Sequence, residues 1–189
     1  MIIGEPEVFA IESKISKAYV GLGLRALGLF VIHVGGKRYG VYESDATMLA
    51  NSLDEVARRL KDRGLHIAPF ACEPHGGEIA DAFRNARFAD EQKESFFGIK
   101  LDDFVQVLGL NNLVWAPDGD EAFDDGSYVL QFDVGDQVRL IAFKFGSDFL
   151  HDPRTIRDLW IAADRYYSVL ERWLEAFEAE WNGCLKEDA

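Results

Sequence analysis

In the stretch Ser127–Phe145, SYVLQFDVGDQVRLIAFKF, one set of alternate positions is almost wholly apolar on both sides of a Gly-Asp pair. Period-two apolarity around a turn signal predicts a β-hairpin. With Gly135-Asp136 as the turn, Tyr128 opposes Phe143, Leu130 opposes Ile141 and Phe132 opposes Arg139. The opposite face mixes Gln131, Asp133 and Lys144 with Val129, Val138, Leu140 and Ala142, so it is expected to be partly solvated or covered by other elements. A first hairpin, earlier in the chain, is predicted from Phe30–Val34 and Arg38–Tyr42 around Gly35-Gly36, because Gly-Gly supplies the positive φ of a primed turn, which makes Ser127–Phe145 the second hairpin. Phe30, Ile32, Tyr39 and Val41 would then share a face, and Val8–Ile15 reads as a further strand.

Helical spacing takes over elsewhere. Ser52-Leu53-Asp54-Glu55 has the form of a capping box, followed by apolar Val56, Ala57 and Leu60, by Arg58, Arg59, Lys61 and Arg63 at the negative end, and by Gly64 as a stop. Ala68–Gly77, with two prolines and two glycines, is expected to be a loop, and Glu78–Arg87 a second short helix. Asp152 before Pro153 is a helix-start signal. From there Ile156, Leu159, Trp160, Ala163, Tyr167, Leu170, Trp173, Leu174, Phe177 and Trp181 recur at helical spacing, which predicts one helix from Pro153 to Trp181, about 40 Å long. Its aromatic stripe is best read as a core face carrying the apolar side of the second hairpin. Phe88–Val114 shows no clear periodicity. The expected fold is α+β: an antiparallel sheet built from hairpins, packed against a long C-terminal helix and one or two shorter ones, with residues 1–189 as a single domain.

Composition narrows the function. Hydrophobic residues at 48% and aromatics at 13% are enough for a full core. Lys and Arg number 20 against 33 Asp and Glu, a net charge of −13, which disfavours direct binding to nucleic acid or anionic lipid and draws in cationic partners. The N-terminus lacks the form of a secretory signal, and no apolar run reaches the length of a membrane span, so a cytoplasmic protein is expected. The two cysteines, Cys72 and Cys184, read as reduced thiols.

Candidate chemistry is sparse. Asp118, Asp120, Glu121, Asp124 and Asp125 form the one dense acidic cluster, just ahead of the second hairpin. The spacing fails the calcium-loop form, since Ala122 and Phe123 stand where a ligand and the sharp-turn glycine belong. A solvated turn or a docking surface for a basic partner fits better. Gly21-Leu22-Gly23 with Gly28 lacks dinucleotide-binding spacing and reads as a flexible turn, and Cys72 with His75 has no second ligand pair of zinc spacing. No nucleophile elbow or phosphate loop occurs, and no cofactor is implied. Two other readings stay open: a metal-dependent hydrolase using loop 118–125, for which His151 or Lys144 is the candidate partner, and a small-molecule sensor walled by the aromatic helix.

The opening MIIGEPEVFAIESKI, the hairpin GLFVIHVGGKRYG and above all EAFDDGSYVLQFDVGDQVRLIAFKF resemble the immunity protein 42 family of bacterial polymorphic toxin systems. The likeness runs from the first residue to about Phe145, with Leu65–Asn112 unmatched. It implies a cytoplasmic antidote, not an enzyme, that binds a cognate toxin domain and protects the producing cell. It carries no catalytic residues. The five acids become candidate partner-binding residues toward a basic toxin domain, such as a nuclease.

Overall fold

The computed structural model describes residues 1–20, 26–116 and 121–188. The first sheet begins with β1 (Ile2–Glu5), β2 (Phe9–Tyr19), β3 (Ala26–Val34), β4 (Lys37–Tyr39) and β5 (Thr47–Met48). Helices α1 (Leu49–Lys61) and α2 (Gly76–Phe88), a small hairpin of β6 (Ser95–Phe96) and β7 (Ile99–Lys100), and α3 (Leu101–Leu110) follow. The second sheet is formed by β8 (Val114–Ala116), β9 (Ser127–Val134), β10 (Gln137–Lys144) and β11 (Arg157–Ala162). The chain then enters α4 (Ala163–Gly183) and ends in β12 (Lys186–Glu187). Neighbours run β1-β2-β3-β4 in the first sheet, with β5 on β3 and β12 parallel on β2, and β11-β10-β9-β8 in the second. The mixed α+β class with antiparallel sheets and a C-terminal helix agrees with the sequence.

Both hairpins form in the expected register. Tyr128 pairs with Phe143, Leu130 with Ile141 and Phe132 with Arg139. In the first, Ile32 pairs with Tyr39 across Gly35 and Gly36, whose φ values of 56° and 76° suit a primed turn. Its second strand is shorter than expected. Gly40 turns away at φ 118°, and the Val41 amide donates to the Ala122 carbonyl instead of continuing the ladder.

The second sheet is buried on both faces. One face, with Val129, Val138, Leu140 and Ala142, closes a core with Phe9, Phe30 and Ile32 of the first sheet, Val56 of α1, and Tyr166, Leu170, Trp173 and Phe177 of α4. The other face, with Leu130, Phe132, Ile141 and Phe143, packs on Ile79 and Phe83 of α2 and on Phe104 and Leu108 of α3. This corrects one expectation: the nearly continuous apolar face rests on α2 and α3, and the mixed face meets the long helix. Polar Gln131 is accommodated on that buried face because its amide is bonded inside the core, accepting from Arg59 Nη1 (3.0 Å) and Tyr166 (2.6 Å) and donating to Tyr167 (2.9 Å).

The C-terminal helix starts later than predicted. Asp152 and Pro153 begin a turn in which Thr155 N–H donates to the Asp152 carbonyl (2.9 Å) and Arg154 N–H to the Asp152 carboxylate (3.0 Å). Arg157–Ala162 then adds an edge strand to β10, and only from Ala163 does the chain become helical. An Asp-Pro pair serves either a cap or a turn. Here buried Arg139 of β10 decides the outcome. Asp158 of β11 meets it with two bonds, Nε–Oδ1 at 2.8 Å and Nη2–Oδ2 at 2.6 Å, a pairing that needs the strand alongside. The predicted capping box is also not one. The helix starts at Leu49, directly out of β5, so Ser52 lies buried within its first turn and Glu55 faces Arg58 and Arg59. The expected turn at Gly21–Gly23 lies outside the described residues, whereas Gly28 is a strand residue so close to β2 that a Cβ would fall 2.1 Å from the Lys14 carbonyl oxygen.

Candidate functional site

Of the five acids singled out, Asp118 and Asp120 lie outside the described residues. Glu121 opens a 3-10 turn, Glu121–Phe123, in which Ala122 and Phe123 are buried. These two apolar residues peg the loop to the first core, which is why they interrupt the acids. Glu121 and Asp124 remain exposed, with Asp124 N–H bonded to the Glu121 carbonyl at 3.2 Å. Asp125 differs. Its Oδ1 accepts from Ser127 N–H (3.1 Å) and its Oδ2 is ion-paired to Lys144 Nζ. Ser127 in turn accepts the Gly40 amide at 3.1 Å. Asp125 therefore holds the loop to the hairpin, leaving Glu121 and Asp124 to face outward.

Of the two candidate partners for hydrolytic chemistry, Lys144 reaches the loop only as a structural partner and His151 does not reach it. Lys144 forms the structural ion pair just described, while His151 Nδ1 lies 2.6 Å from Asp81 Oδ1 on α2, and His151 N–H donates to the same oxygen at 2.8 Å. Among the described residues no group of three or more His, Cys, Asp or Glu side chains is arranged to hold a metal ion. The aromatic stripe of α4, read as the wall of a sensor pocket in one alternative, lies in the core: Tyr166, Tyr167, Trp173 and Phe177 are all buried. Cys72 is exposed, Cys184 half-buried, and neither is bonded to the other.

Beside the loop is a cluster that the sequence did not announce. Arg84 of α2 lies under the rings of Phe88, Phe145 and Tyr128, its Cζ 4.8, 5.1 and 5.5 Å from their centroids. Phe145 is joined to the loop directly, since its amide donates to the Gly126 carbonyl at 3.0 Å and its ring lies close against Gly126. A Cβ at Gly126 would fall 2.3 Å from that ring, and its φ is 80°, so glycine is required twice over. The available signal was weak: Arg84 lies on the predicted helix but Phe88 falls one residue beyond its predicted end at Arg87, and Phe145 ends the hairpin's alternation.

Burial dominates the titrations resolved in the interior. It pushes the Tyr166 phenol far above its ordinary range, with Arg59 opposing, and it raises Tyr39 and Tyr167 as well. Burial also pulls the fully enclosed Arg59 guanidinium down, against the Glu55 carboxylate 2.7 Å from its Nε. On the outer face of the first sheet Glu12 balances opposing effects. Partial burial raises it, but bonds from His33 and Tyr42, each 2.8 Å, leave it below its usual value. None of these groups lies in the acidic loop.

The fold is similar to that in the crystal structure of CdiI from Burkholderia dolosa AUO158, with a TM-score of 0.58 and 16% sequence identity over 93% of this chain and 99% of that one. At that identity the likeness is one of fold. A search of curated proteins finds no match. No helix among the described residues is long and apolar enough to cross a membrane. The sequence profile described as Immunity protein 42 matches residues 1–176, a span that includes the middle segment Leu65–Asn112 and most of α4. The chain therefore belongs to the immunity protein 42 family, and is an immunity protein that binds and neutralises a cognate toxin.

Proposed function

We propose that this immunity protein works by stoichiometric binding in the bacterial cytoplasm, capturing a basic toxin domain of a contact-dependent or polymorphic system and turning over no substrate of its own. The observation that carries this reading is the family match over residues 1–176 in a chain of net charge −13. A strongly negative field raises the encounter rate with a cationic partner and repels nucleic acid. The likeness of fold to a CdiI favours a contact-dependent system. Residues 1–189 act as one domain, the outward acids Glu121 and Asp124 supply the charged part of the docking surface, and their sequence neighbours Asp118 and Asp120 add to its negative charge. Asp125 supports them from within.

Co-expression with the toxin domain encoded beside its gene tests this directly. The expected result is restored growth and a one-to-one complex on size exclusion. Absence of both rejects the reading. Elemental analysis of the purified protein separates the hydrolase alternative. One tightly held divalent ion per chain, lost on changing Asp118 and Asp120 to Asn, would support that alternative instead.

A further inference from the structure

Arg84 poses a physical question. Its side chain is only 8% exposed, and its Nε has no hydrogen-bond partner among the described residues. The polar contact it does make there is a long one, Nη1 to the Tyr128 hydroxyl at 3.3 Å. Among the described residues no carboxylate pairs with it, and the three ring faces around it are the contacts that offset its burial. Tyr128 is anchored inward, stacked on Phe143 at 5.5 Å. Phe88 and Phe145, by contrast, are 41% and 52% exposed. The fold thus keeps a buried cation whose contacts help hold two half-exposed phenyl rings at the surface, Phe88 also edge-on to core Phe83 with centroids 6.2 Å apart.

The Phe145 ring borders the acidic loop. Gly126, on which Phe145 lies, directly follows Asp125, and Lys144, which holds Asp125, directly precedes Phe145. Exposed rings at the centre with exposed Glu121 and Asp124 beside them have the anatomy of a binding interface: aromatic anchors near an Arg, charge at the rim. Rings already held in place lose little entropy on binding. A competing apolar patch, Leu65, Ile67 and Leu110, is more exposed and shares a shallow groove with Asp62, but two further acids near it already have partners. Asp133 accepts from the amides of Gly64 and His66 and from Tyr167, and Asp164 pairs with Arg63. The patch's exposed apolar side chains are aliphatic, whereas the Arg84 cluster presents rings, the side chains that most often anchor interfaces.

We propose that the Arg84-centred cluster of Phe88, Tyr128 and Phe145 anchors the toxin interface, and that its occupant is an apolar, positively charged surface of the toxin domain, seated on the rings with its basic groups over Glu121 and Asp124. Arg84 is a positioning residue, acting through the rings. The inference rests on the toxin-neutralising reading above.

The test is binding kinetics of the full chain to an immobilised, inactivated form of the toxin domain encoded beside its gene. Phe88→Ala and Phe145→Ala are each expected to weaken binding about tenfold or more, chiefly by faster dissociation, while Leu110→Ala stays within about twofold. Both phenylalanines are exposed, so unchanged melting temperatures will confirm intact folds. Arg84→Lys, which keeps the charge but not the planar group, is expected to speed dissociation in the wild-type background and to have no effect once Phe88 and Phe145 are both alanine. Equal loss in both backgrounds would make its role merely structural and overturn the positioning. If the wild-type chain does not bind the toxin domain, the functional reading fails first. If it binds and the two Phe variants match it, or Leu110→Ala alone loses tenfold, the anchor is wrong. A dimer that Phe145→Ala dissociates without loss of toxin affinity would give this face to a second copy, and also overturns it.

Discussion

Tyr166 concentrates the chemistry of the interior in one side chain. Its hydroxyl donates to Gln131 Oε1, the oxygen that also accepts from Arg59, so a phenol, an amide and a guanidinium from α4, β9 and α1 meet at one atom. Burial raises its pKa above the ordinary 10.0, which means the folded chain keeps a proton that the unfolded chain releases in alkali. The unfolded state then binds fewer protons, so stability is full below pH 10 and falls as pH rises beyond it, by about 1.4 kcal/mol per pH unit for each such group. Tyr39 and Tyr167 shift the same way and add to the slope. Tyr166→Phe should lower stability at neutral pH by about 1 kcal/mol through the lost hydrogen bond, and should make the decline above pH 10 shallower by close to one proton. Urea titrations at several alkaline pH values check this. A slope unchanged by the substitution would mean that Tyr166 ionises when folded as readily as when unfolded.

The edge strand β11 shows how one buried charge can choose between secondary structures. Arg139 is 1% exposed and uses all its nitrogens: two toward Asp158, and Nη1 toward the carbonyls of Ala71 (2.9 Å) and Glu73 (2.6 Å). Asp158 also accepts the Gly76 amide at 3.1 Å, where α2 begins. Asp158→Ala leaves that guanidinium buried and unpaired, with an expected loss of about 3 kcal/mol, seen as a lower urea midpoint. Hydrogen exchange at Gly76 should quicken more than at Ile141 in the centre of the same sheet. The same residues mark the limit of what the sequence discloses. Hairpin register was readable because period two and a turn dipeptide fix it together. The strand nature of Arg157–Ala162 was not, because Leu159 and Trp160 also continue a helical stripe and Asp-Pro suits a cap or a turn. Arg139, a charge opposite Phe132 in an apolar row, was the one local hint that something would have to cover that position. Ser52 and Glu55 misled for a related reason: their spacing fits a cap anywhere on a helix, and only the pairing of β5 with β3 sets where α1 starts. The acidic loop was evident as composition, but its aromatic neighbours, Phe88 on α2 and Phe145 after β10, meet only through the fold.

Charge acts across larger distances than these contacts, and its effect on association separates the loop's role from that of the rings. With −13 spread over the chain, no single acid dominates the long-range field, but exposed acids at the contact act within about one Debye length, where screening is incomplete. Reversing them should therefore change the rate of encounter, while the dissociation rate follows the buried anchors. The choice of acids matters. Asp125 pairs with Lys144 and takes the Ser127 amide, so Asp125→Lys would disturb the hairpin as well as the field, and a loss of binding would be ambiguous. Glu121 and Asp124 have exposed side chains and enter the turn through the backbone bond between them, which survives substitution. Glu121→Lys with Asp124→Lys shifts the net charge by four, from −13 to −9. The expected outcome is association with the toxin domain slowed about tenfold at low salt, a flatter dependence of that rate on ionic strength, and dissociation changed by less than about threefold. Stopped-flow association across a salt series gives all three. If the rate and its salt dependence are unmoved while the wild-type chain still neutralises the toxin, the partner does not approach over this loop, and the steering field must lie on another face.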